Sequence, residues 1–176
     1  MSRGDTSTTG TRTETVPIYL VRHAKARSRK RWAGPDDQRP LTRAGLEQAA
    51  ALVRIFTGRP LARLVSSPYV RCVQTLEPLA EERGLPLETS DTLAEGAPPD
   101  AALSLAVESA RRGPSALCTH GDVIELLLEE LDRREVPLGT QDGIELKKGS
   151  TWVLNVMDQD VVAAKYIPPP DAGNER

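Results

Sequence analysis

The sequence predicts an α/β fold, a three-layer αβα sandwich in which helices cover both faces of a mostly parallel central sheet. Short apolar runs alternate with longer segments of helical period, which is what a parallel sheet joined by crossover helices requires. The chain has 176 residues, 39% hydrophobic and 27% charged, enough for one core and cramped for two. Aromatic residues make up only 3%, so Ala, Leu and Val must carry the packing.

Val16 to Val21 reads as the first strand. Leu41, Leu46, Ala49, Ala50, Val53 and Phe56 then follow helical spacing after Thr42, an N-cap residue type, and Gly58 with Pro60 closes that helix. Leu61 to Ser66 is the second strand. Ser67 and Pro68 open the next helix with Pro in its first turn, and Val70, Val73, Leu76 and Leu79 form its buried face as far as Gly84. A short strand follows at Pro86 to Glu88.

Pro98, Pro99 and Asp100 start a helix that runs through Leu103, Leu105 and Val107 to Arg112, with Gly113 as its stop. Ser115 to Cys118 is a buried strand. The pattern turns helical from Gly121 through Val123, Leu126, Leu127 and Leu131 and ends before Pro137. Ser150 to Val156 and Val161 to Ile167 form a terminal hairpin around Met157 to Asp160. Residues 1–14 have no apolar residue after Met1 and read as a disordered leader. Residues 15–167 form one domain, and 168–176, opening on three prolines, form a flexible tail.

The formal net charge of -2 argues against binding nucleic acid through bulk electrostatics. Any phosphate must be met locally, and Lys25, Arg27, Arg29, Lys30 and Arg31 supply a local basic run. Cys72 and Cys118 are too few for a disulfide framework and, with two histidines, make a poor zinc set. Both read as reduced packing residues; no metal and no organic cofactor is expected. No apolar run approaches the ~18 residues needed to span a bilayer, and the N-terminus lacks the apolar segment of a signal peptide. A cytoplasmic monomer or weak homo-oligomer without membrane contact is expected.

Both histidines of the chain follow strands: Val21-Arg22-His23-Ala24 and Cys118-Thr119-His120-Gly121. Ligand crevices of open α/β sheets lie beyond the carboxyl ends of the strands, so the two histidines can share one crevice. A nucleophilic imidazole must be neutral, and Arg22 beside His23 opposes its protonation. The same guanidinium can fork onto phosphate oxygens. Ser66-Ser67-Pro68-Tyr69-Val70-Arg71 leaves another strand end and sets Arg71 in the first turn of a helix, where anions are favoured. His23 is the expected nucleophile, with Arg22, Arg71 and His120 as phosphate ligands.

These residues resemble the histidine phosphatase superfamily, which also contains cofactor-dependent phosphoglycerate mutases. Arg22-His23 matches its first element, Ser66 through Thr75 matches its Ser-Ser-Pro-x-x-Arg-x-x-Gln-Thr stretch, and Thr119-His120-Gly121 matches its third. The resemblance covers most of the chain. It implies a phosphoglycerate mutase-like fold, a covalent phosphohistidine on His23, and a general acid placed where Leu93-Ala94-Glu95-Gly96 lies, making Glu95 the candidate. The family's usual glycine after the first histidine is Ala24 here, and its loop Thr and Asn fall at Ala26 and Arg29. Arg29 in that place suits a more highly charged substrate, and Lys25 joins it as a phosphate ligand.

Arg-His-Ala-Lys-Ala followed by Arg39-Pro40-Leu41-Thr42-x-x-Gly45 looks like the compact branch, with small bacterial phosphohistidine phosphatases and phosphatase domains fused to Nudix hydrolases. The resemblance implies hydrolysis of a phosphorylated small molecule, nucleotide or phosphoprotein at an open site. A phosphomutase of the same family and a phosphate-binding regulatory module without turnover are the alternatives. A Rossmann oxidoreductase is excluded, since no G-x-G-x-x-G turn follows the first strand.

Overall fold

Residues 14–140 and 142–171 are described by a computed structural model; the expected leader, apart from Glu14, and residues 172–176 of the expected tail lie outside them. The first strand, β1 (Val16–Arg22), shows how the layers form. Its Ile18 and Leu20 pack into one core and its Tyr19 and Val21 into another, because successive side chains of a strand point to opposite faces. Helices α3 (Pro99–Arg112) and α4 (Gly121–Arg133) close the first core, with Ala102, Ala106, Ile124, Leu127 and Leu131. Helices α1 (Arg43–Ile55) and α2 (Val70–Arg83) close the second, with Leu52, Cys72, Leu76 and Leu79, joined by Phe56 just beyond α1.

The other strands are β2 (Arg63–Ser66), β3 (Leu87–Thr89), β4 (Ser115–Thr119), β5 (Thr151–Met157) and β6 (Asp160–Ile167). Their order across the sheet is β3-β2-β4-β1-β5-β6. β3, β2, β4 and β1 run parallel, and the β5–β6 hairpin adds antiparallel strands beside β1. The αβα class and the mostly parallel centre are therefore as the sequence predicts. Arg22 pairs with Thr119 and Ser66 with Cys118, so three motif-bearing strand ends share one edge of the sheet.

Three sequence-level expectations shift. The buried stripe of α1 is Gly45, Ala49, Ala51 and Leu52, whereas Leu46 is 47% exposed and Ala50 is also exposed. The rotation follows from Gly45, where an added Cβ would sit 2.0 Å from the Lys25 carbonyl oxygen. That close approach turns the glycine inward and Leu46 out. Pro68 lies ahead of α2 rather than in its first turn: the chain bends through Pro68 and the N-cap Tyr69 before the helix begins at Val70, and the Ser67 hydroxyl reaches the site, 2.8 Å from His120 Nε2. The second strand begins at Arg63, after Ala62 N bonds the Pro114 carbonyl at 2.7 Å. Short 3-10 turns at Asp36–Gln38 and Asp91–Leu93 have no signal in the apolar periodicity.

Gly45→Ala should displace the loop after His23 and destabilise the protein by about 1–3 kcal/mol, the range for forced overpacking. Urea unfolding of the variant measures this, and a midpoint equal to wild type would contradict the proposed contact.

Candidate active site

The parallel β1–β4 ladder continues past its last residues, because His23 N bonds the Thr119 carbonyl at 3.1 Å. This brings the two imidazoles together, with ring centroids 5.5 Å apart. His23 is 7% exposed and His120 2%. His23 Nδ1 lies 2.8 Å from the Ala24 carbonyl oxygen. A carbonyl can only accept, so Nδ1 carries the proton and Nε2 keeps its lone pair. Burial is the largest influence on His23; the Ala24 carbonyl, next in size, opposes it, and His120, Arg71 and Arg22 add to it, so that the pKa falls to about 3. The ring is neutral at pH 7, as nucleophilic attack demands.

His120 Nε2 lies 2.8 Å from Ser67 Oγ, which also accepts from Tyr69 N at 3.3 Å. The other ring nitrogen, His120 Nδ1, is buried and has no hydrogen-bond partner among the described residues; it carries the ring proton when Ser67 donates to Nε2. Tyr69 packs its ring edge-on to His120, centroids 4.7 Å apart, and the Arg71 guanidinium stacks 4.8 Å over the Tyr69 ring.

Arg71 is 1% exposed. Its Nη1 donates to the Asp36 carbonyl oxygen at 2.8 Å, and its Nη2 to Asp36 Oδ2 and Glu95 Oε2, both at 3.1 Å. Arg39 Nε donates to Asp36 Oδ1 at 2.9 Å and Arg29 Nη2 to Glu95 Oε1 at 3.0 Å. Burial raises the Asp36 carboxyl, but Arg39 and Arg71 outweigh it and hold its pKa at about 2. Two carboxylates thus fix three guanidiniums along one wall of a cleft of about 500 Å³.

The motif residues around these groups hold the frame. Thr75 Oγ1 accepts from Ala24 N at 3.0 Å and donates to the Arg71 carbonyl at 2.7 Å, tying the loop after His23 to α2. Gln74 Oε1 accepts from Leu41 N at 2.8 Å. Gly121 is needed because a Cβ there would lie 2.9 Å from Arg22 Cζ; Arg22 Nη1 donates to the Leu146 carbonyl. The Glu95 loop is pinned at two points, by Thr119 Oγ1 on the Leu93 carbonyl at 2.7 Å and by Asp122 Oδ2 on Gly96 N at 2.8 Å.

Arg22, His23, Arg29, Arg71, Glu95 and His120 all line the cleft, whereas Lys25 is exposed and is not among its lining residues. Sequence reasoning passed over Asp36, Asp122 and Lys148. Asp36 sits in a 3-10 turn just ahead of the Arg39-Pro40-Leu41-Thr42 motif but outside it, and Lys148 lies in a segment without periodicity. Among the described residues, no three His, Cys, Asp or Glu side chains gather to hold a metal ion, and no helix is long and apolar enough to cross a membrane.

Residues 18–98 match the family model described as "Histidine phosphatase superfamily (branch 1)". A curated relative from Mycolicibacterium smegmatis, an 8-oxo-(d)GTP phosphatase, is 38% identical over 163 residues. The match covers 90% of this chain but 50% of that protein, so the chain spans about half the relative's length. Among solved structures, the protein histidine phosphatase SixA complexed with tungstate shares the fold at a TM-score of 0.70 and 17% identity, covering 91% of this chain and 99% of that one. Mycobacterial glucosyl-3-phosphoglycerate phosphatase in complex with VO3 does so at 0.67 and 16%, covering 89% and 100%.

The His23 proton balance has a consequence for stability. The unfolded chain takes up this proton near pH 6.5 and the folded one only near 3, so between those values the unfolded state binds more protons. Stability therefore falls as pH drops below about 6.5. From pH 7 to 4.5 the His23→Asn variant should lose about 2–3 kcal/mol less than wild type in urea unfolding; equal losses would contradict a buried neutral His23.

Proposed function

We propose that the chain is a member of the histidine phosphatase superfamily, whose family model matches residues 18–98, and a phosphohydrolase whose His23 Nε2 takes up the phosphoryl group as a covalent phosphohistidine. One observation carries the reading. Arg22 Nε, Arg71 Nε and His120 Nδ1 are buried nitrogens without hydrogen-bond partners among the described residues, and all three residues line the cleft beside His23; with the His120 proton on Nδ1, all three are donors. Buried donors rarely go unpaired. Three of them around a neutral imidazole fit the equatorial oxygens of a phosphoryl group.

In this reading His23 Nε2 attacks phosphorus while the P–O bond to the leaving group breaks and its electron pair departs on that oxygen. Arg22, Arg71 and His120 stabilise the charge that builds on the equatorial oxygens. Glu95, on the cleft wall, enters this step as the neutral carboxylic acid and donates its proton to the leaving oxygen, becoming the carboxylate. A water then attacks the phosphohistidine, Glu95 accepts its proton, and the P–N bond breaks to free phosphate and His23. Arg29, bonded to Glu95, adds positive charge at the rim; the exposed Lys25 contributes only long-range attraction. No step calls for a metal.

The substrate class we propose is a nucleotide-type phosphate or a phosphoprotein. The relative named for a nucleotide supports the first. The free thiols of Cys72 and Cys118 suit the reducing cytoplasm.

His23→Ala should abolish hydrolysis of an aryl phosphate with the far-ultraviolet circular dichroism unchanged, while Arg71→Ala and His120→Ala each lower kcat ~10²–10³-fold. Wild-type rates in the His23 variant would remove the nucleophile from this account. Glu95→Gln should slow alkyl phosphates, whose leaving group needs a proton, at least tenfold more than aryl phosphates, a margin of about 1.4 kcal/mol in the barrier. Equal losses on the two substrates would rule out its acid role.

A further inference from the structure

The cleft holds more positive charge than one phosphoryl group uses. Arg22, Arg27, Arg29, Arg39, Arg71 and Lys148 all line it. Arg29, Arg39 and Arg71 share the carboxylates of Asp36 and Glu95, and Arg22 is held by the Leu146 carbonyl with Asp122 and Glu125 acting on it. Arg27 and Lys148 have no carboxylate within ion-pair distance among the described residues, and it is Lys148 that the neighbouring cations act on. The residue is exposed at the cleft, yet desolvation, and then Arg22, Arg39, Lys25 and Arg71, lower its proton affinity. Like charges held together without a counter-ion cost free energy unless an anion enters among them.

The backbone of Lys148 is fixed. Its carbonyl accepts from Gln48 Nε2 at 3.4 Å, and the same side chain's Oε1 accepts from Lys25 N at 3.0 Å, so Gln48 bridges the loop after His23 to this segment. The next residue, Gly149, donates its N–H to the carbonyls of both Arg22 and His23, each at 3.2 Å. Trp152 Nε1 holds the Glu145 carbonyl at 2.9 Å. Lys148 therefore precedes the residue that holds the backbone of the nucleophile itself.

We infer that Lys148 binds a second phosphoryl group next to the one on His23, so that the preferred substrate ends in a diphosphate. The inference rests on the phosphohydrolase reading above and adds a residue that sets its specificity. His23 Nε2 attacks the terminal phosphorus, the bridging P–O bond breaks, and its electron pair leaves on the inner phosphate. Lys148 neutralises that departing charge, and a phosphate leaves without a proton from Glu95. A cleft of about 500 Å³ falls in the size range that accepts a whole small molecule.

The test is the ratio of kcat/KM for a nucleoside diphosphate to kcat/KM for p-nitrophenyl phosphate, in wild type, Lys148→Ala, Lys148→Glu and Lys148→Arg. The ratio should fall about tenfold in Lys148→Ala, as expected for one charge-assisted contact, and further in Lys148→Glu, mostly through KM. Lys148→Arg should restore it. A ratio unchanged in Lys148→Glu overturns the inference, as does a wild type that hydrolyses the aryl phosphate but not the diphosphate; in both cases the phosphohydrolase reading stands. Hydrolysis of neither substrate by wild type overturns that reading and the inference with it.

Discussion

The site depends on the parallel pairing of β1 with β4, carried one bond beyond the strands by His23 N on the Thr119 carbonyl. Neither imidazole has a long loop to position it. Each follows directly from a buried strand, and the register that packs Val21 beside Cys118 also sets the spacing of the two rings. A one-residue slip would turn every side chain of β1 to the opposite face, burying Arg22 where Val21 packs. Core packing and site geometry are thus one constraint. Ser66, paired with Cys118 on the far side of β4, brings Ser67 and then Arg71 to the same edge.

Burial at that edge separates two kinds of group. His23 escapes the cost of a buried charge by staying neutral, and the cations around it deepen the preference. The arginines cannot lose their protons, so each needs an oxygen. Asp36 and Glu95 meet that need with two oxygens apiece, and the Leu146 carbonyl serves Arg22. Each guanidinium is oriented before any ligand arrives. The donors these contacts leave over, Arg22 Nε and Arg71 Nε, are those a bound oxyanion would use.

His23, His120 and Arg71 were legible in the sequence because strand ends, a helix start and three short motifs mark their positions by local pattern. So were most of the elements, since aliphatic runs bounded by glycine and proline define them. The face of α1 was not. Leu46 fits an apolar stripe, but Gly45 against the Lys25 carbonyl fixes the helix rotation, and a tertiary contact of that kind has no trace in periodicity. Asp36 and Lys148 were missed for the same reason: one sits in a 3-10 turn, the other in an irregular stretch, and chain folding alone brings them to Arg71 and Arg22. Lys25 shows the reverse, as a basic residue beside the motif whose side chain stays exposed outside the cleft.

The most direct measurement is a denaturing quench at alkaline pH during turnover of a phosphate ester labelled in its phosphoryl group, followed by peptide mapping. The account predicts phosphate on the peptide containing His23, formed within the first turnover, lost on acid treatment as a phosphoramidate is, and absent from His23→Ala. Steady turnover with no labelled peptide at any time, or label on another residue, would contradict it.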